Sequence, residues 1–133
     1  MKNIFFFLLV LIADQATKYI AVEYMNWHAN AGISFGLFQK FPLWIFFALI
    51  ILLFLIKIFY KIKLDFTWSL LIAGMSGNLI DRIRLGYVID WIPLPFPFID
   101  RLYVNIADAA LIIGFICFIF NEFKKSFFKQ PEK

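Results

Sequence analysis

The feature that most limits how this chain can fold is the spacing of its charges. Four stretches, at about residues 4–22, 41–60, 66–83 and 102–121, are almost free of them. Each is close to the ~20 residues an α-helix needs to cross a bilayer. In lipid a backbone must satisfy its own N–H and C=O groups, and a helix does so within one segment. The spacing therefore predicts an all-α membrane protein with four transmembrane helices. Its 133 residues fit a single domain. Composition agrees: 63% of residues are hydrophobic and 19 are Phe, against roughly 45–50% apolar in soluble domains. A cleaved signal peptide is the other reading of residues 4–13. No small-x-small cleavage site precedes Asp14, and apolar character resumes after Lys18, so a retained first helix is expected.

The formal net charge is +4, and the cations flank the apolar runs instead of forming a patch. They read as topology signals, and no nucleic-acid partner is expected. Lys2, Lys57, Lys61, Lys63, Lys124, Lys125, Lys129 and Lys133, eight of the thirteen cations, fall on the side of the termini and the second loop. The others are Lys18, Lys40, Arg82, Arg84 and Arg101. The positive-inside rule then puts both termini in the cytoplasm and the loops at about 23–40 and 84–101 outside. Tyr24, Trp27, Trp44, Tyr87, Trp91 and Tyr103 fall at that outer boundary, as an aromatic belt does. Residues 87–92 are β-prone, and Pro93, Pro95 and Pro97 exclude helix after them. Residues 124–133 read as a frayed polar tail. The single cysteine, Cys117, permits no intrachain disulfide.

Ionisable groups inside membrane spans are costly and are functional candidates by default. Asp14 and Lys18 are spaced i,i+4 on one helix face, and Asn78, Asp81 and Arg82 are spaced i, i+3, i+4. Asn105 and Asp108 follow at i, i+3, and Asp90 sits in the third loop. All fall near one end of the predicted helices. Asp14 with Lys18, and Asp81 with Arg82, are able to neutralise each other as glue for the bundle. Asp90 and Asp108 have no cation at helical spacing, which makes them harder to explain that way. Two facing carboxyl groups cannot both ionise easily, so one keeps a proton while the other acts as base. Such a pair activates water against a peptide carbonyl and protonates the leaving amine.

Other catalytic designs lack parts. His28 is the one histidine, so no zinc site and no metal cofactor is expected. Lys18 with Ser34 or Ser76 would make a serine–lysine dyad, but Asp14 already offers Lys18 a partner. No Gly-x-Ser-x-Gly elbow or phosphate-binding loop occurs.

Five segments together resemble the ordered motifs of the lipoprotein signal peptidase (signal peptidase II) family. They are Asp14-Gln-Ala-Thr-Lys18, Asn30-Ala-Gly-Ile-Ser-Phe-Gly36, Gly77-Asn-Leu-Ile-Asp-Arg82, Gly86-Tyr-Val-Ile-Asp-Trp91 and Asn105-Ile-Ala-Asp-Ala-Ala110. The resemblance implies an aspartic endopeptidase of the bacterial inner membrane with Asp90 and Asp108 as catalytic pair. It implies that Asp14, Asn30, Gly32, Asn78, Arg82 and Asn105 shape and hydrogen-bond the site, with Lys18 and Asp81 as structural or orienting groups. It further implies a small outward β-cradle on the helical bundle. The implied substrate is a diacylglyceryl-modified prolipoprotein cut before its lipidated cysteine. The chain is short for the family, mainly in the first outer loop, and Trp91 stands where phenylalanine is usual.

Two alternatives come from other classes: a small transporter whose aspartates relay ions, and an assembly factor without chemistry. Transporters often show internal repeats, and none is visible here. An assembly factor has no need of the asparagines that accompany the acids. Membrane lipids are expected neighbours, no cofactor is implied, and nothing in the sequence requires more than a monomer.

Overall fold

The computed structural model describes residues 2–31, 65–96 and 99–128. The predicted second span at 41–60, together with Gly32, Ser34 and Trp44, lies outside the described residues.

Three helices form the frame: α1 (Lys2–Tyr24), α2 (Phe66–Leu85) and α3 (Ile106–Phe128). Short strands β1 (His28–Asn30), β2 (Val88–Asp90), β3 (Ile92–Phe96) and β4 (Ile99–Val104) lie at their junctions. Among the described residues, two helices are long and apolar enough to cross a membrane, Lys2–Tyr24 and Ile106–Lys124. Large side chains such as Ile12, Phe115, Ile116 and Phe120 are exposed along them, as lipid-facing surface would be. The α2 helix is of similar length but carries Asn78, Asp81, Arg82 and Arg84, which reduce its apolar character.

Side-chain contacts fix the helix directions. Ser69 Oγ donates to the Asn3 carbonyl at 2.9 Å near the start of α1 and α2. Farther along both helices Lys18 Nζ meets Asn78 Oδ1 at 3.1 Å. The two helices therefore run parallel. By contrast Asn121 Nδ2 donates to Thr67 Oγ1 at 3.2 Å, while Asn78 Nδ2 donates to Asp108 Oδ1 at 2.8 Å. That makes α3 antiparallel to α2. The start of α1 and the end of α3 thus share one end of the bundle, and the polar residues gather toward the other.

Glycine permits the close approach. A Cβ on Gly74 would lie 2.5 Å from the Ala107 carbonyl oxygen, and one on Gly77 would lie 2.5 Å from Asp14 Oδ2. Neither position has room for a side chain.

Helix ends follow local chemistry. Asp65 caps α2, its carboxylate accepting from the Trp68 N–H at 3.0 Å. The helix ends at Gly86, whose φ of 81° is left-handed backbone and whose N–H returns to the Arg82 carbonyl. The chain turns there and enters β2 almost at once. The expected helix at 102–121 starts later and ends later: residues up to Val104 belong to β4, and α3 begins at Ile106. Asn105 sets that boundary, because its side chain caps the helix and its carbonyl accepts from the Ala109 N–H at 3.2 Å. At the other end the helix continues to Phe128, into the stretch expected to fray.

β1 pairs antiparallel with β2, setting His28 opposite Asp90 and Asn30 opposite Val88. β3 pairs antiparallel with β4, with a register shift between Leu94 and Phe96. β3 contains Pro93 and Pro95, as an edge strand tolerates, since proline offers no N–H to a partner.

Candidate active site

The buried core here is polar. Asp14, Lys18, Asn78, Asp81, Asp90 and Asn105 are all buried. Buried polar groups of this kind are tolerated when each finds partners, and a connected network provides them.

Its base is an ion-paired triad. Lys18 Nζ lies 2.8 Å from Asp14 Oδ2 and 2.8 Å from Asp81 Oδ2. The i,i+4 pair of Asp14 and Lys18 is as the spacing predicted. Asp81 makes its salt bridge to Lys18, from another helix, and the Arg82 guanidinium is also near enough to interact with it. The third donor of Lys18 goes to Asn78 Oδ1 at 3.1 Å. With its three N–H groups engaged, this ammonium is poorly placed to activate a serine.

Asp14 also reaches across the bundle. Its Oδ1 accepts from the Ala107 N–H at 2.8 Å, so a carboxylate of α1 caps the positive end of α3. Asp81 Oδ2 accepts from the Ile89 N–H at 3.2 Å and ties β2 to the helix before it. Gln15, which the sequence reading did not single out, donates to Asp14 Oδ2, to Asp81 Oδ1 and to the Gly77 carbonyl, each at 3.2 Å. The available signal was an amide side chain inside an apolar run beside Asp14. Thr17 answers to its own helix, donating to the Ala13 and Asp14 carbonyls.

Asn105 joins the two carboxyl groups of interest. Its Nδ2 donates to Asp90 Oδ1 at 2.6 Å, and is shared with Asn78 Oδ1 at 3.1 Å and the Ile89 carbonyl at 3.4 Å. Its Oδ1 accepts from the Asp108 N–H at 2.8 Å, and its own N–H donates to Asp108 Oδ2 at 3.3 Å. This reciprocal exchange is a capping box, with Asp108 in the role usually filled by glutamate. Asp90 Oδ2 accepts from Asn30 Nδ2 at 2.9 Å, and Asp108 Oδ1 from Asn78 Nδ2 at 2.8 Å. Both oxygens of each carboxyl group thus have donors. Asp108 is less buried than Asp90, which leaves that side of the site open to an incoming group.

Charge follows the geometry. Burial pushes the Asp90 carboxyl up to about 6; the Asn30 bond opposes this, the charge of Asp108 adds to it, and Asn105 and Lys18 oppose it. The Arg82 guanidinium is near enough to interact with Asp108, Asp90 and Asp81. No cluster of three or more metal-ligating side chains occurs among the described residues. His28 is exposed and packs against Tyr103 with ring centres 4.3 Å apart, and Trp27 stacks on Tyr87 at 6.0 Å.

Of the residues chosen from sequence, Asp14, Lys18, Asn30, Asn78, Asp81, Arg82, Asp90, Asn105 and Asp108 meet at this one site, while Gly32 is outside the described residues. The same chain resembles characterised proteins along nearly its whole length. The family described as Signal peptidase (SPase) II matches residues 6–124. A protein named lipoprotein signal peptidase from Thermodesulfovibrio yellowstonii is 34% identical, covering 88% of this chain and 91% of its own. A protein of the same name from Bartonella henselae is 36% identical, covering 91% and 90%. In three dimensions the chain is similar to a bacterial membrane enzyme solved by the in meso method at 2.3 Å, with a TM-score of 0.83, 30% identity, and coverage of 99% of this chain and 93% of that one. Sequence motifs, fold and polar site agree, and the chain belongs to the signal peptidase II family.

Proposed function

We propose that this protein is an aspartic endopeptidase of the bacterial inner membrane. It removes signal peptides from diacylglyceryl-modified prolipoproteins, cutting before the lipidated cysteine. One observation carries the mechanism: Asn105 bonds both Asp90 and Asp108, from a strand and a helix, into a single hydrogen-bonded unit. Two acids joined in this way share protons as a pair. We assign the carboxylate of the resting pair to Asp108, whose two oxygens accept from the Asn78 amide and the Asn105 N–H, and the proton to Asp90.

The reaction then balances simply. Asp108 takes a proton from water while Asp90 gives its proton to the carbonyl oxygen, forming a neutral gem-diol. As that collapses, Asp108 passes its proton to the leaving amine and Asp90 recovers one from the diol. Asn30, Asn78, Asn105 and Arg82 hold and polarise the pair. Asp14 caps α3 beneath, with Lys18 ion-paired to it and to Asp81.

The remaining features extend this reading. The whole chain is one integral-membrane domain with four spans, at about 4–22, 41–60 and 66–83 and over Ile106–Lys124. Both termini are cytoplasmic, the site is periplasmic, and the β-strands form an outer cradle. A lipid-anchored peptide presents its scissile bond at the membrane–water boundary, and apolar clefts between helices take its acyl chains. The enzyme works as a monomer among membrane lipids.

Asp90→Asn and Asp108→Asn test the mechanism. Each should lower cleavage of a lipidated precursor by at least the ~10²–10⁴-fold typical of lost acid–base catalysis. The thermal unfolding midpoint in detergent should stay near that of the parent. Retained cleavage in either variant counts against the dyad. An ion flux in empty liposomes that either substitution removed would instead favour the transporter reading.

A further inference from the structure

The network fixes the orientation of one amide, and that orientation has chemical consequences. Asn78 stands between the ion-paired triad and Asp108. Its Oδ1 accepts from Lys18 Nζ at 3.1 Å and from Asn105 Nδ2 at 3.1 Å, and its Nδ2 donates to Asp108 Oδ1 at 2.8 Å. An ammonium has donors only. A flipped Asn78 would set its NH₂ against the Lys18 ammonium and its oxygen against the Asp108 carboxyl group. A proton on Asp108 would mend only the second of these contacts, so the Lys18 ammonium still opposes the flip.

Lys18 cannot easily turn away. It is 2% exposed, and two carboxylates at 2.8 Å hold it from either side. Among the described residues its donors go to Asp14, Asp81 and Asn78, so it reaches Asp108 by hydrogen bonds through Asn78.

We infer that Lys18 is a positioning residue that decides which aspartate of the pair acts as base: by holding the Asn78 amide with its oxygen inward, it keeps an N–H aimed at Asp108 and so keeps Asp108 as the carboxylate. This rests on the aspartic mechanism proposed above. Asn105 also donates to Asn78 Oδ1, so the control is shared and its loss is partial. The charged groups around Asn78 and Asp108 are Asp14 and Lys18 from α1, Asp81 and Arg82 from α2, and Asp90 from β2.

The test removes the lysine without leaving an unbalanced charge. In Lys18→Met/Asp81→Asn one cation and one anion are lost together. The acidic limb of kcat should move up by about one pH unit, lowering kcat about tenfold at the acid end, with KM for a lipopeptide little changed. Asn78→Leu breaks the relay without touching a charge and should move the limb likewise, and the triple variant should move it no further. Lys18→Arg keeps the donors and should keep the parental limb.

An Asn78→Leu enzyme with the parental limb overturns the inference, whatever the lysine variants do. So does a folded Lys18→Met/Asp81→Asn enzyme with the parental limb. Loss of fold in that double variant, read as a lost cooperative unfolding transition in detergent, overturns it too, since the lysine would then be structural. Cleavage retained by Asp90→Asn or Asp108→Asn would remove the mechanism itself. Inactive aspartate variants with an unmoved limb would remove only the role of Lys18.

Discussion

Asn105 shows how much one side chain can carry. Its amide nitrogen serves Asp90, its amide oxygen starts α3, and its backbone N–H returns to Asp108. Both acids are then held in one hydrogen-bonded environment. Asp90 is pushed up to about 6, so it holds a proton below that pH and releases it above. In the proposed mechanism the active pair carries one proton. The value of kcat/KM, which reports the free enzyme, should therefore fall as pH rises past about 6, approaching tenfold per unit. A pH profile of lipopeptide cleavage in micelles checks this, and a rate that keeps climbing well beyond that point contradicts the assignment. The same shift has a thermodynamic counterpart. The folded state holds the Asp90 proton longer than the unfolded chain, so this group's contribution to stability declines as pH climbs from its ordinary value toward about 6. The i,i+4 pair of Asp14 and Lys18 was legible in the sequence because helical spacing determines it. The bridge from Lys18 to Asp81 was not, because helix packing brings those residues together.

At the scale of elements, the site depends on how closely α1, α2 and α3 approach. Gly77 sits where they meet, and a Cβ there would lie 2.5 Å from Asp14 Oδ2 and 3.2 Å from the Ala107 Cβ. Gly77→Ala should push Asp14 off both Lys18 and the Ala107 N–H. Overpacking of this kind costs about 1–3 kcal/mol, measurable as a lower thermal midpoint, and cleavage should fall with it because Asp14 caps the helix that carries Asp108. An unchanged midpoint would mean that the helices separate at little cost. The strands were partly legible: the β-prone run before the prolines becomes β2, and Pro93 and Pro95 do exclude helix. The start of α3 was misplaced because apolar content does not distinguish the end of β4 from helix. The deciding signal was the Asn-x-x-Asp spacing of Asn105 and Asp108, a cap signature that the apolar run obscured.

For the molecule as a whole, the parallel course of α1 and α2 is informative. Two consecutive described helices that run the same way bring both of their ends into register, so the polar ends of α1 and α2 meet. The proposed orientation puts the start of α1 and the end of α3 in the cytoplasm. Alkaline phosphatase fused after Lys133 should stay inactive, and a green fluorescent protein there should fluoresce. Phosphatase inserted between Tyr24 and His28 should be active. The opposite pattern would invert the molecule and move the site to the wrong face. Apolar length made the long helices Lys2–Tyr24 and Ile106–Lys124 readable, since the bilayer constrains it. The assembly of the core was not readable, because bonds such as that from Asp14 to the Ala107 N–H join distant parts of the chain.

The capping box has one more effect. The carboxyl group proposed to take a proton in every turnover is also the one that receives the first free N–H before α3. When Asp108 is neutral, its grip on that N–H slackens and the opening turn of the helix is less firmly anchored. Under the proposed mechanism each catalytic cycle would loosen the backbone around the acid and tighten it again, so the rhythm of bond cleavage would be felt in the scaffold itself.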